Sequence, residues 1–307
     1  MPSSPHILIA GGTGLIGTRL TELLLEKGYS VAHLSRSPRT DRKVRTYVWN
    51  IEDGYIQEGA VEQAGHIVQL AGANIGEKRW TDSRKKELAK SRIESTRLLY
   101  DALKNTPHQV KSFISASGIN FYGSNTGNRI MREDDPAGED FIGRLCKAWE
   151  AGALKMEELR IRVVALRSGL ALSREGGFLK ALLPVVKAGL SAPVGLGKQY
   201  LSWIHVDDLC RMYIQAIEDD SMRGVFNAAA PHPVINREFM KQLAKSLKRP
   251  FIVPPVPGFA LKLILGEVAD SILGGVRAST AKIESMGFRF LYPHLEEALF
   301  EIFTDRK

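Results

Sequence analysis

The sequence predicts an α/β fold, a doubly wound parallel sheet with a smaller C-terminal α/β lobe. Short apolar runs alternate with helical patterns in the N-terminal third. A glycine-rich loop joins the first run to the first helical pattern, and the alternation turns irregular after about residue 170.

His6 to Ala10 reads as a compact apolar strand. Leu15, Ile16, Leu20, Leu23 and Leu24 then line one helical face up to Lys27, and Gly28 stops it. Strands follow at Val31 to Leu34 and His66 to Ala71, and a long helix runs from about Thr81 to Lys104. Phe113 to Ala116 reads as a strand, Phe141 to Leu159 as a helix and Ile161 to Leu166 as a further strand. Strands spaced by helices of this length need right-handed crossovers, which wind the sheet in both directions. Gly176, Gly177, Gly189, Gly195 and Gly197 mark loops, and Pro250, Pro254, Pro255 and Pro257 punctuate a later boundary. Gly258 to Leu273 reads as one amphipathic helix and Leu295 to Ile302 as a terminal one. The expected division is a nucleotide-binding domain over 1–230 and a C-terminal domain over 250–307, which forms a substrate lobe with residues 170–250.

The 307 residues are 44% apolar and 25% charged, a balance that argues against disorder. Cys146 and Cys210 form no CxxC motif, so a disulfide scaffold or zinc cluster is not expected, and a reducing compartment is. No uninterrupted apolar run reaches about 18 residues, and Met1 to Pro5 leaves no room for a targeting peptide. The expectation is a cytoplasmic protein with no membrane partner. The net charge of +8 invites a nucleic-acid reading. The densest basic stretch, Arg36, Arg39, Arg42, Lys43 and Arg45 with Asp41 among them, lacks interleaved aromatics for base stacking, so no nucleic acid is expected either.

The stretch Gly11-Gly12-Thr13-Gly14-Leu15-Ile16-Gly17 follows a strand and opens a helix. Gly11 suits the tight turn, Gly14 the approach of a pyrophosphate and Gly17 close helix packing. The helix N-terminus supplies N–H groups and partial positive charge to the anion. Thr18 and Arg19 stand where an ATP-type P-loop requires Lys-Ser/Thr, so that rival fails. A Rossmann-type dinucleotide site is the expectation. At the end of the second strand an NAD site usually places an acid, and this chain has Ser35-Arg36. A guanidinium there suits a ribose 2′-phosphate, so NADP(H) is expected over NAD.

The glycine loop, Ser115-Ala116-Ser117, Phe121-Tyr122-Gly123 and Trp203-Ile204-His205-Val206-Asp207-Asp208-Leu209 together resemble the extended short-chain dehydrogenases/reductases. Leu70-Ala71-Gly72-Ala73-Asn74-Ile75, Arg79-Trp80-Thr81, Ser91-Arg92, Trp149-Glu150 and the 273–299 segment resemble the atypical epimerase-family branch, described in terms of nucleoside-diphosphate-sugar epimerases and cell-division inhibitors, with its short C-terminal domain. The likeness covers essentially the whole chain. It implies that Leu70 and Ala71 pass under the adenosine, that Glu87 and Arg92 face the cofactor and that Leu170 lies near the nicotinamide. It also implies a small carbonyl or hydroxyl substrate such as a nucleotide sugar, and a homodimer paired through helices near 85–104 and 141–159.

Reductases of this kind use a Tyr whose phenol is eased towards ionisation by a Lys one helical turn later. The sole Y-x-x-x-K, Tyr100 to Lys104, precedes Ser117 and is out of order. Where the pair belongs, Ile142 and Cys146 stand instead. Ser117 and Tyr122 are the remaining catalytic candidates, with Lys147 a displaced third. His205-Val206-Asp207-Asp208 reads as a helix start capped by Asp207 rather than as a metal site. No G-x-S-x-G nucleophile elbow occurs. Asn227 reads as the start of a loop at the substrate side. Two readings stay open: an NADP-dependent oxidoreductase or epimerase, and a non-catalytic NADPH sensor. An open polar pocket beyond Ser117 favours the first, and a plug such as Phe121 or Trp203 the second.

Overall fold

The computed structural model describes residues 6–38, 44–251 and 255–304. Met1 to Pro5, Arg39, Asp41, Arg42, Lys43 and Pro254 lie outside the described residues. The chain begins β1 (His6–Ala10), α1 (Leu15–Glu26), β2 (Ser30–Ser35), β3 (Arg45–Asn50), β4 (Tyr55–Ile56) and β5 (His66–Gln69). It continues α2 (Asp82–Asn105), β6 (Ser112–Gly118), β7 (Ile130–Met131), α3 (Phe141–Leu154), β8 (Arg162–Ser168) and β9 (Leu170–Leu172). Then come α4 (Gly177–Lys187), β10 (Tyr200–Leu201), β11 (Trp203–His205), α5 (Val206–Glu218), β12 (Gly224–Ala228), β13 (Val234–Ile235) and α6 (Asn236–Ser246). The last elements are α7 (Gly258–Leu265), α8 (Val268–Leu273), β14 (Arg277–Ala278), α9 (Ala281–Ser285) and α10 (Leu295–Phe303).

Eight strands form the main sheet in the order β12-β8-β6-β5-β1-β2-β3-β4, parallel throughout except for the β3–β4 hairpin. From β1 the chain steps outward to β3, then returns to place β5 on the other side. The strand order therefore reverses between β1 and β5, where doubly wound sheets bind ligands. Both faces are covered, as a parallel sheet requires. Ile7 and Ile9 pack with α1 and α5 through Leu20, Leu24, Leu209 and Tyr213. Leu8 and Ala10 face the other way, with Leu99 and Leu103 of α2.

Three strands of the main sheet, β3, β4 and β12, are not evident from sequence periodicity. In β3 only Tyr47 and Trp49 are buried, and its remaining residues read as an extension of the basic loop. In β12 a polar residue sits mid-strand. Asn227 does not start a loop but is fully buried in that strand, its amide donating to Met131 O at 3.2 Å and Ser279 O at 3.0 Å. The expected single helix over 258–273 is broken at Gly266 (φ +60°), which ends α7 before α8 begins. Similarly, α3 ends at Leu154 and a short 3₁₀ turn, Lys155–Leu159, completes the expected helical stretch.

The cap of α5 also differs from expectation. His205 Nδ1 accepts from Asp207 N at 3.1 Å, so His205 is the cap, and the Asp207 carboxylate binds Arg19 at 2.7 Å. No helix among the described residues is long and apolar enough to cross a membrane.

Burial lowers the pKa of His205, and pulls that of His66, bonded to Ser112 Oγ at 2.7 Å, down to about 4. Both imidazoles are thus held neutral in the fold, while the unfolded chain takes up protons near pH 6.5. Stability is expected to be intact above that pH and to fall as the pH drops from about 6.5 towards 4. A urea midpoint that stays constant between pH 7 and pH 4.5 would refute this.

Candidate functional site

The glycine loop leaves the C-terminal end of β1 at the switch point. Gly11 has φ +85°, and a Cβ there would stand 2.8 Å from Ala71 N and 2.9 Å from Leu70 C. Only glycine lets the two strand ends approach this closely. A Cβ on Gly17 would stand 2.4 Å from Gly11 O, so that glycine packs the helix against the loop. Gly14 differs: its Cβ would meet nothing nearer than Gly11 O at 3.4 Å. Gly14 caps α1 without a side-chain bond, and no acid occupies the first turn. The first-turn N–H groups therefore have no intrahelical acceptor, the arrangement that receives an anion. Sequence reasoning missed Gly12, whose Cβ would overlap the buried His33 ring.

A cavity of about 610 Å³ opens in front of this loop. Gly11, Thr13, Gly14, Ser35, Arg36, Leu70, Ala71 and Glu87 all line it, eight of the residues expected to hold the cofactor. Trp49, Asn50, Ile51 and Glu52 at the end of β3, and Lys90 of α2, line it too. Their place was hidden because β3 itself was. Glu87 pairs with Arg84 at 2.7 Å, which holds its carboxyl below the usual range. Arg36 is exposed at the rim.

Other expected cofactor residues stand behind the cavity or away from it. Ile16 packs into the core, and Leu15 faces Gly176 and Gly177. Leu170 pairs with Trp203 in the β9–β11 ribbon, its side chain in the C-terminal lobe cluster. Arg92 is buried under the 72–73 turn, its guanidinium donating to Leu88 O at 3.1 Å and Ala73 O at 2.9 Å and lying over the Trp149 ring. It supports the loop from beneath.

Beyond the strand ends lies a buried polar network. The Arg167 guanidinium grips Glu150 with two bonds of 2.9 Å, and both side chains are almost fully buried. Ser117 Oγ donates to Glu150 Oε1 at 2.5 Å. Tyr122 Oη accepts from Arg167 at 2.9 Å and donates to Asn227 Oδ1 at 2.7 Å. Arg167 also lies 3.4 Å above the Phe121 ring and donates to Glu133 O at 3.1 Å. Each hydroxyl hydrogen is already given away: Ser117 to a carboxylate that only accepts, Tyr122 to an amide oxygen. Burial pushes the Tyr122 phenol up to about 12. The network's centre, Arg167, was missed: it and Arg162 flank the apolar run Val163-Val164-Ala165-Leu166 alike, both are buried, and Arg162 bonds backbone carbonyls where Arg167 bonds a buried carboxylate, a difference that the sequence does not signal.

The position of the missing lysine holds Cys146, a thiol that burial pushes up to about 12, and Ile142 is buried one turn before it. Lys147 points to solvent. Tyr100 donates to Glu158 at 2.8 Å on the surface side of α2. Of the two possible plugs, Phe121 is buried beneath Arg167, and Trp203 is fully buried in the lobe, donating to His232 O at 3.1 Å. No cluster of three or more metal-ligating side chains occurs among the described residues.

A glycine cradle and an uncapped helix at the switch point of a doubly wound sheet define a dinucleotide-binding protein of the Rossmann class. Residues 7–229 match the NAD dependent epimerase/dehydratase family, and 256–302 match a domain of unknown function, DUF1731. The chain belongs to that epimerase family. It is 36% identical to the epimerase family protein ML0860 of Mycobacterium leprae over 95% of this chain and 94% of the other. The crystal structure of human epimerase family protein SDR39U1 with NADPH superposes with a TM-score of 0.86 at 32% identity, covering 97% of this chain and 98% of that one. A nucleoside-diphosphate sugar epimerase from Corynebacterium glutamicum gives 0.79 at 29% identity, over 98% of this chain and 58% of that one.

Proposed function

We propose that this protein binds NADP(H) and is a nucleotide-responsive module rather than a Tyr-dependent reductase. The cavity fits the group: Gly14 leaves space for a pyrophosphate, the uncapped α1 N-terminus attracts its charge, and Arg36 at the rim suits a 2′-phosphate. When bound, the nicotinamide supplies hydride chemistry. Leu70 and Ala71 floor the cavity, and Arg92 holds the turn above them. The human relative's NADPH supports the same cofactor.

The observation that carries the non-catalytic reading is the Arg167–Glu150 pair, which absorbs both candidate hydroxyls into the framework. Tyr122→Phe is expected to leave NADPH affinity within about threefold and to lower stability by about 1–3 kcal/mol, the cost of stranding buried partners. If it instead abolishes substrate-dependent NADPH oxidation while the protein stays equally stable, the phenol is catalytic and the reading fails. The likeness to the Corynebacterium protein favours a second reading, an oxidoreductase or epimerase acting on a nucleotide sugar. Turnover of NADPH with any such sugar would establish it over the first.

A further inference from the structure

We propose that a face built from residues 185–196 and 256–264 docks on an anionic lipid surface. Seven of the eleven large apolar side chains that are exposed among the described residues gather there. Leu196 is 80% exposed, Phe259 and Leu263 each 77%, and Val185, Leu190 and Ile264 are exposed with them. The backbone joins these residues into one surface. Val194 bridges Val256, Gly195 N donates to Val256 O at 2.9 Å, and Leu190 N donates to Val185 O at 3.1 Å. Gly195 and Gly258 both abut Leu273, which sets the start of α7 beside Leu196. No residue of α7 is buried.

Charge identifies the occupant. The stretches 176–206 and 239–266 contain no Asp or Glu, yet hold Lys180, Lys187, Lys198, Lys248, Arg249 and Lys262 among their cations. Lys262 pairs with Asp270 from the neighbouring helix. Lys187, Lys198, Lys248 and Arg249 have no carboxylate within ion-pairing distance among the described residues. An exposed apolar patch rimmed by cations suits acyl chains beneath anionic headgroups. The sequence-based expectation of no membrane partner rested on the lack of a spanning segment, which says nothing of a surface-lying face.

The test sediments the full chain with phosphatidylcholine vesicles, with and without phosphatidylserine, at low and high salt. Co-sedimentation is expected only with phosphatidylserine, and is expected to weaken at high salt. Leu263→Glu and Phe259→Glu, each at an unpacked position, are expected to cut it at least tenfold, roughly, with unchanged melting and NADPH binding. No binding to phosphatidylserine vesicles at low salt would overturn the proposal, as would Leu263→Glu binding like the native chain. Concentration-dependent self-association abolished by Leu263→Glu would also overturn it, assigning the face to a second copy.

Discussion

An Arg36→Asp protein is expected to bind NADPH on the order of 100-fold more weakly, with its NADH affinity changed about threefold or less. The expectation follows from the place of Arg36 on the cavity rim, directly after β2, beside Ser35 and Ser37. NADH and NADPH differ by the 2′-phosphate alone, so a guanidinium that serves this group discriminates between them, and a carboxylate in its place repels the phosphate. The remainder of the cradle is indifferent to the change. Gly14, the first-turn N–H groups of α1 and the floor at Leu70 and Ala71 meet features that both nucleotides share. Parallel titrations of both nucleotides against the native and variant proteins give the ratio. An equal loss for the two would mean that Arg36 shapes the cavity generally. No loss for either would remove it from the site.

The second large effect concerns the buried pair. Arg167→Met is expected to destabilise the protein by about 3–5 kcal/mol, because it leaves Glu150 as an uncompensated charge in the core. For a chain of this size that corresponds to a melting temperature lower by on the order of 10 °C. The loss spreads further than the pair. Tyr122 loses the guanidinium that donates to it, Ser117 is left on a carboxylate no longer held in place, and the 130–133 segment loses the anchor at Glu133 O. Replacing both members, Glu150→Leu with Arg167→Met, is expected to recover a large part of the stability, since removing both charges removes the desolvation cost. Native-like melting of Arg167→Met would show that the network does not hold the framework together.

Much of the nucleotide end was legible from residues alone. The switch point is built by β1 and β5, whose apolar runs are plain in the sequence; the glycines at 11 and 17 stand where a side chain would collide with backbone, and Gly14 leaves open space between them. Arg36 is read from its position one residue past a strand. By contrast, β3 was invisible because its alternation is carried by only two buried aromatics in a polar stretch. With it went the far wall of the cavity. Arg92 matched a motif, and only its packing under the 72–73 turn shows that it faces protein.

Local order along the chain was enough to establish the fold class and the anion cradle, since both depend on short-range backbone geometry and hydrophobic periodicity. The fate of Ser117 and Tyr122 was decided only when distant segments met. Glu150 comes from a helix, Arg167 from the next sheet strand and Asn227 from the sheet edge. Whether a hydroxyl has a proton to give depends on which acceptor lies within 3 Å of it, a matter of tertiary packing that residue spacing does not encode.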